Sequence, residues 1–163
     1  MPKIEKEKIQ EKIGECLGLE RAAQQAVDEL SVKGLLDKRG LKTKIQQIKK
    51  EAGSHEDKLE QVTEQVIESV GLDKDKIEQS TEEAVQKATE MMKTYLGEEP
   101  DTIDALEFLC MAEAGEVTHY EVLSALSSPL KDRKLGAAIK SILKEERRHL
   151  QLCIELAKQN SLK

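Results

Sequence analysis

Four amphipathic segments of this chain each carry ionisable residues in the middle of an otherwise apolar heptad stripe. The first reads Ile9, Ile13, Cys16, Glu20, Ala23, Val27, Leu30, and the second Ile45, Ile48, Ala52, His55, Leu59, Val62, Val66. The third runs Leu106, Leu109, Glu113, Glu116, Tyr120, Leu123, Leu126, and the fourth Leu135, Ile139, Ile142, Glu146, His149, Cys153, Leu156. Gaps of three and four residues put each set on one face of an α-helix. Burying one bare carboxylate in hydrocarbon is costly, and burying several is untenable unless something positive compensates them. The stripes therefore restrict the chain to packed helices whose polar interruptions meet.

They do meet if the helices pair as antiparallel hairpins, where two residues share a height when their numerical midpoint falls in the turn. The midpoint of Glu20 and His55 lies between Asp37 and Lys38, inside the turn-forming run Asp37-Lys38-Arg39-Gly40. That of Glu113 and Glu146 lies beside Pro129, and that of Glu116 and His149 at Asp132. Each polar set then sits roughly 25 Å from its turn by helix rise. Glu146 and His149 form an ExxH pair, whose spacing puts carboxylate and imidazole on one helical face, able to grip one ion. A lone Glu on an apolar stripe is ordinarily an edge residue. Coincidence at one height on four helices points instead to a metal site. Four ionised glutamates balance two divalent cations, and carboxylate oxygen with neutral imidazole suits iron or manganese.

Composition agrees with close-packed helices. At 163 residues the chain is long enough for one domain with a sizeable core, and its aromatics are only Phe108, Tyr95 and Tyr120. The core must then be Leu, Ile, Val, Ala and Met. A net charge of −6 without a basic stripe argues against nucleic acid. No apolar run approaches the ~20 residues of a membrane span, and the start of the chain lacks the apolar stretch of a signal peptide, so a cytoplasmic location is expected. Cys16, Cys110 and Cys153 lack CxxC spacing, which suggests neither a disulfide framework nor a thiolate zinc site.

The expected helices run from about Lys6 to Lys33, Leu41 to Val70 (ended by Gly71), Thr102 to Ser127 and Arg133 to Gln159. Between the two hairpins, Lys74 to Leu96 carries one modest apolar edge of Ile77, Ala84, Ala88, Met91 and Tyr95. This stretch would span ~35 Å as a helix, enough to return the chain along the outside. The fold expected over residues 1–163 is a single all-α domain, an antiparallel four-helix bundle with a long helical crossover.

These residues carry a resemblance. The chain resembles the ferritin-like superfamily, and in ligand layout the di-iron domain of rubrerythrins: one Glu on the first helix, ExxH on the second, Glu on the third and ExxH on the fourth. Rubrerythrin-like proteins add a second third-helix Glu, as Glu116 follows Glu113 here. Thr118-His119-Tyr120-Glu121 resembles the HYE segment of YciF-type bacterial ferritin-like proteins. The resemblance implies a non-haem di-iron or di-manganese protein with two ions per chain, reducing peroxide or oxidising Fe(II). Its partners would be dioxygen or hydrogen peroxide, an external electron donor in place of the absent rubredoxin-like CxxC module, and a second copy in a homodimer. The competing expectation is a non-catalytic, stress-linked structural or partner-binding bundle with a vestigial site.

One departure stands out. Three residues before His55 the pattern asks for Glu, and the chain has Ala52. Either Glu51 substitutes, helped by a distortion near Gly53, or one metal position is weakened. The candidate ligands are thus Glu20, Glu51, His55, Glu113, Glu116, Glu146 and His149. Glu121 and Glu145 read as solvated, and His119 as either a supporting hydrogen bonder or a surface residue. Tyr120 reads as a core tyrosine or a relay, and the cysteines as small core residues.

Overall fold

A computed structural model describes residues 3–162. Five helices follow one another: α1 (Lys3–Val32), α2 (Leu41–Val66), α3 (Lys74–Leu96), α4 (Thr102–Ser127) and α5 (Arg133–Ser161). No strand occurs among the described residues. Asp side chains start the last three helices. Asp73 accepts from the Asp75 and Lys76 amides and Asp132 from the Leu135 amide, while Asp101 and Asp104 form a reciprocal capping box. Gly97, at φ 67°, ends α3 in a conformation that glycine tolerates best.

The expected second helix stops being α-helical at Val66, and its last turn widens to a π-turn over Ile67–Gly71. The Leu72 amide closes it on the Ile67 carbonyl at 3.3 Å.

Helices α1 and α2 form one hairpin and α4 and α5 the other. Each helix of the bundle packs on two neighbours: α1 on α2 and α4, and α5 on α4 and α2. The crossover α3 returns the chain along the outside of the bundle, packed against α1. Gly14 and Gly18 make that approach possible: a Cβ on Gly18 would stand 2.6 Å from both the Ala84 Cβ and the Thr81 carbonyl. This contact also sets which edge of α3 is buried. Ile77, Thr81, Met92 and Leu96 face inward, whereas Met91 and Tyr95, expected on the apolar edge, are exposed.

The core is split in two. One apolar cluster holds Ile13, Leu59, Tyr120, Leu123, Leu135 and Ile139; the other holds Leu30, Ile45, Leu106, Leu109, Cys153 and Leu156. Between them lies a layer of buried charge.

Candidate metal centre

That layer consists of Glu20 from α1, His55 from α2, Glu113 and Glu116 from α4, and Glu146 and His149 from α5, all at most 3% exposed. Each occupies a core position of its helix stripe, so the hydrophobic seams above and below fix the height at which it enters. Two groups of three have ligand atoms within 4.8 Å of one another: Glu20 with His55 and Glu146, and Glu113 with Glu146 and His149. Either group could hold a metal ion, and Glu146 belongs to both.

The imidazoles are oriented alike. His55 turns Nδ1 inward, 2.7 Å from Glu146 Oε1 and 3.0 Å from Glu20 Oε2. His149 turns Nδ1 inward too, 3.6 Å from Glu113 Oε2 and 3.7 Å from Glu146 Oε2, too far for a hydrogen bond. The rings stack with centroids 5.7 Å apart.

Outward, each Nε2 donates to a carboxylate of the other hairpin. His55 donates to Glu145 at 2.6 Å, and His149 to Glu51 at 2.9 Å. Glu51 therefore lies in neither group of three; it accepts from His149 and pairs with Arg148. Glu145, expected to be solvated, is 38% exposed in its side chain yet reaches His55. It was missed because it lies off the core stripe. The available signal was a repeat, since Glu145 precedes His149 by the same four residues that separate Glu51 from His55. Ala52, at the position where the ligand pattern asks for Glu, is buried.

The electrostatics are those of crowded carboxylates in a dry layer. Burial pushes Glu20 and Glu116 well above the usual carboxylate range, and Glu113 up to about 7. Burial opposes the charged imidazoles, but the facing carboxylates outweigh it, raising His55 to about 11 and His149 to about 10. Glu146 is also buried, and its contacts with His149 and His55 overcome that and hold it ionised. Protons shared by these groups do the neutralising that a cation could do.

Several polar atoms of the layer are buried without a hydrogen-bond partner: Glu20 Oε1, Glu113 Oε2, Glu116 Oε1, Glu146 Oε2 and His149 Nδ1. Buried polar groups are rarely left so. Here the unpaired atoms point into one layer and are carboxylate oxygens and an imidazole nitrogen, a donor set that fits a divalent ion.

The neighbours are less engaged. Tyr120 is fully buried, its hydroxyl unpartnered, its pKa raised by burial and then by Glu20. Cys16 and Cys153 are buried free thiols raised by burial, the state of core residues rather than thiolates. His119 stays outside the layer, with Nδ1 2.8 Å from the Gly115 carbonyl and Nε2 3.3 Å from Glu15. Glu121 pairs with Arg147 on the surface.

The sequence matches no family model and no curated protein sequence. Among solved structures, the chain is similar to the Escherichia coli stress protein YciF, with a TM-score of 0.75 and 19% identity over 99% of both chains. At that identity the likeness establishes the fold, an all-α bundle like that of YciF.

Proposed function

We propose that the chain is a non-haem di-iron carboxylate protein, with manganese as the alternative metal, and that it acts on dioxygen or hydrogen peroxide. The observation that carries this reading is the shared carboxylate. Glu146 belongs to both groups of three, and inward-facing atoms of both groups are buried and unpaired.

In this reading Glu20 and His55 would hold one ion, Glu113 and His149 the other, and Glu146 both. Glu116, buried beside them, would supply a further oxygen. An iron pair would supply electrons to dioxygen or peroxide, with an external donor restoring them. The remaining work belongs to the chain. Glu145 and Glu51 keep the Nε2 protons occupied, so that each imidazole presents Nδ1 to the centre. The two apolar clusters exclude water from above and below. The reaction is peroxide reduction or Fe(II) oxidation. No helix among the described residues is long and apolar enough to cross a membrane.

Ala52 favours the second reading, a stress-linked structural or partner-binding bundle with a vestigial site, because an expected carboxylate is absent there. Metal content separates the two. Iron-reconstituted protein should hold about two ions per chain and melt at a higher temperature, since a ligand bound only by the folded state stabilises it. No retained metal and no thermal shift with Fe(II) or Mn(II) would leave the second reading standing.

A further inference from the structure

The proposed centre needs a source of electrons, and the chain keeps two free thiols beside it. Cys110 stands three residues before Glu113 on α4, and Cys153 four residues after His149 on α5. Glu113 and His149 lie opposite one another, with Oε2 and Nδ1 3.6 Å apart. Helices α4 and α5 run antiparallel, so both cysteines lie one turn from that pair toward the same end of the bundle. That end is the one away from the α4–α5 turn, by about 4.5 and 6 Å of helix rise.

The edge of α4 that bears Cys110 is the one that meets α5. Glu121, about 20° around the helix from Cys110, pairs with Arg147 of α5, whereas His119 on the far edge reaches Glu15 of α1. Both thiols belong to the apolar cluster of Leu109 and Leu156, Cys153 buried within it and Cys110 packed against it and partly open to solvent. Cys16 lies in the other cluster, across the polar layer. Neighbouring helices pack with axes about 8–10 Å apart, which brings facing Cα atoms within the roughly 4.4–6.8 Å that a disulfide spans. Burial raises the pKa of both thiols; Glu107 and Glu113 add to it at Cys110, and Glu113 and Cys110 at Cys153. Both therefore stay protonated at neutral pH, and a protonated thiol is a poor nucleophile toward peroxide.

We propose that Cys110 and Cys153 are a dithiol–disulfide couple that supplies the two electrons for reducing one hydrogen peroxide at the adjacent layer. The proposal rests on the di-iron reading and names its electron source. Two S–H bonds and the peroxide O–O bond break, and one S–S bond forms. Two protons and two electrons pass from the sulfurs to the two oxygens, giving two waters. The electrons travel through the layer, whose metal ends as it began. An external thiol then reduces the disulfide, reaching it at the partly exposed Cys110.

The full chain, loaded with Fe(II) in the absence of dioxygen and freed of excess reductant, tests this once its metal content has been measured. About two molecules of hydrogen peroxide are added per chain, one to oxidise the ion pair and one for the thiols. Free thiols, counted by alkylation in denaturant, should fall from three to one, and peptide mapping should join Cys110 to Cys153. Metal-free protein should keep all three over the same time. Cys110→Ala and Cys153→Ala should each retain metal and helix content but consume about half as much peroxide as the parent, while Cys16→Ala should match the parent. A chain that holds iron and consumes peroxide with three thiols still free would overturn this inference alone, and so would a disulfide that forms equally fast without metal. A chain that holds no metal would overturn the di-iron reading and this inference with it.

Discussion

The two hairpins of the bundle follow one plan and differ in where they keep their carboxylates. Hairpin α4–α5 places Glu113, Glu116 and Glu146 in the polar layer; at the matching positions α1–α2 has Glu20, Ala23 and Ala52. Imidazoles and outer carboxylates are shared equally, with His55 and Glu51 on one side and His149 and Glu145 on the other. Hairpin α4–α5 supplies a whole group of three, Glu113, Glu146 and His149, whereas α1–α2 borrows Glu146 to complete its own. His55 meets Glu146 across the bundle, and each outer carboxylate holds the opposite hairpin's imidazole. The difference teaches that a carboxylate missing from one hairpin can be supplied by the other, and that the polar layer also fixes how the hairpins dock.

The largest effect should come from the residue both halves share. Glu146→Ala should abolish binding of Fe(II) or Mn(II), measured by elemental analysis after desalting, while circular dichroism shows the helix content retained. Glu20→Ala should instead leave about one ion per chain, held by the α4–α5 half. Two ions retained in Glu146→Ala would mean that the halves are independent, and the comparison would fail at its centre.

A pH series sharpens the contrast between protons and metal as neutralisers of the layer. A group whose folded pKa is raised stabilises the fold below its unfolded pKa and loses that contribution as pH climbs through the folded value. Glu113, raised from 4.5 to about 7, loses it between those values. His149 and His55, raised from 6.5 to about 10 and about 11, lose it above neutrality. Glu146 works in the opposite sense, but its contribution is lost only in strong acid. Metal-free protein should therefore melt at progressively lower temperature from mildly acid to alkaline pH. Metal competes with protons for the same atoms, so the stabilisation by Mn(II) should grow over that range. A metal-induced shift independent of pH would place the ion outside the layer.

Much of this arrangement is legible in the sequence because a heptad stripe reports which face is buried. The stripe positions Ile13, Ile45, Leu106 and Ile139 are all buried, and so are the polar residues that interrupt the stripes. Midpoints in the turns pair Glu20 with His55 and Glu113 with Glu146, and the similar distance of both pairs from their turns, roughly 25 Å by helix rise, sets them at one height. What one helix cannot report is the reach of a side chain toward its neighbour. Glu51 and Glu145 lie off the stripes, and only the placement of α2 beside α5 decides that each reaches the other's imidazole. The buried edge of α3 was misread for a related reason. Its period is weak, and the close approach at Gly14 and Gly18 on another helix selects Met92 and Leu96 over Met91 and Tyr95.

The crossed outer carboxylates give the next prediction. Replacing an outer partner of a metal-binding histidine ordinarily costs about 10–100-fold in affinity. Glu51→Gln should weaken the position held by His149, and Glu145→Gln the one held by His55. Combining each with Glu20→Ala, which removes the α1–α2 position, tells them apart. With only the α4–α5 position left, Glu51→Gln should still cost affinity and Glu145→Gln should cost little. The reverse result would mean that each carboxylate serves its own hairpin.

The smallest effect, and the one that tests the asymmetry itself, is expected from Ala52→Glu. This change restores a carboxylate three residues before His55, matching Glu146 before His149, and makes the two hairpins alike in that respect. Its side chain would project from the stripe toward the bundle axis. It should tighten the α1–α2 metal position by about tenfold, a gain on the order of 1.4 kcal/mol. The metal-free protein should lose about 1–3 kcal/mol, because a larger, ionisable side chain enters a packed layer already rich in carboxylates. Titration with Mn(II) and thermal melts of the metal-free variant measure the two effects separately. Opposite signs in the two measurements would show that Ala52 spares the metal-free fold at the expense of the ion. If Ala52→Glu weakened the metal as well, the layer would have no room for a second shared carboxylate. Glu116 would then be the residue that had taken its place, and Glu116→Gln should cost more affinity in the parent than in the Ala52→Glu background.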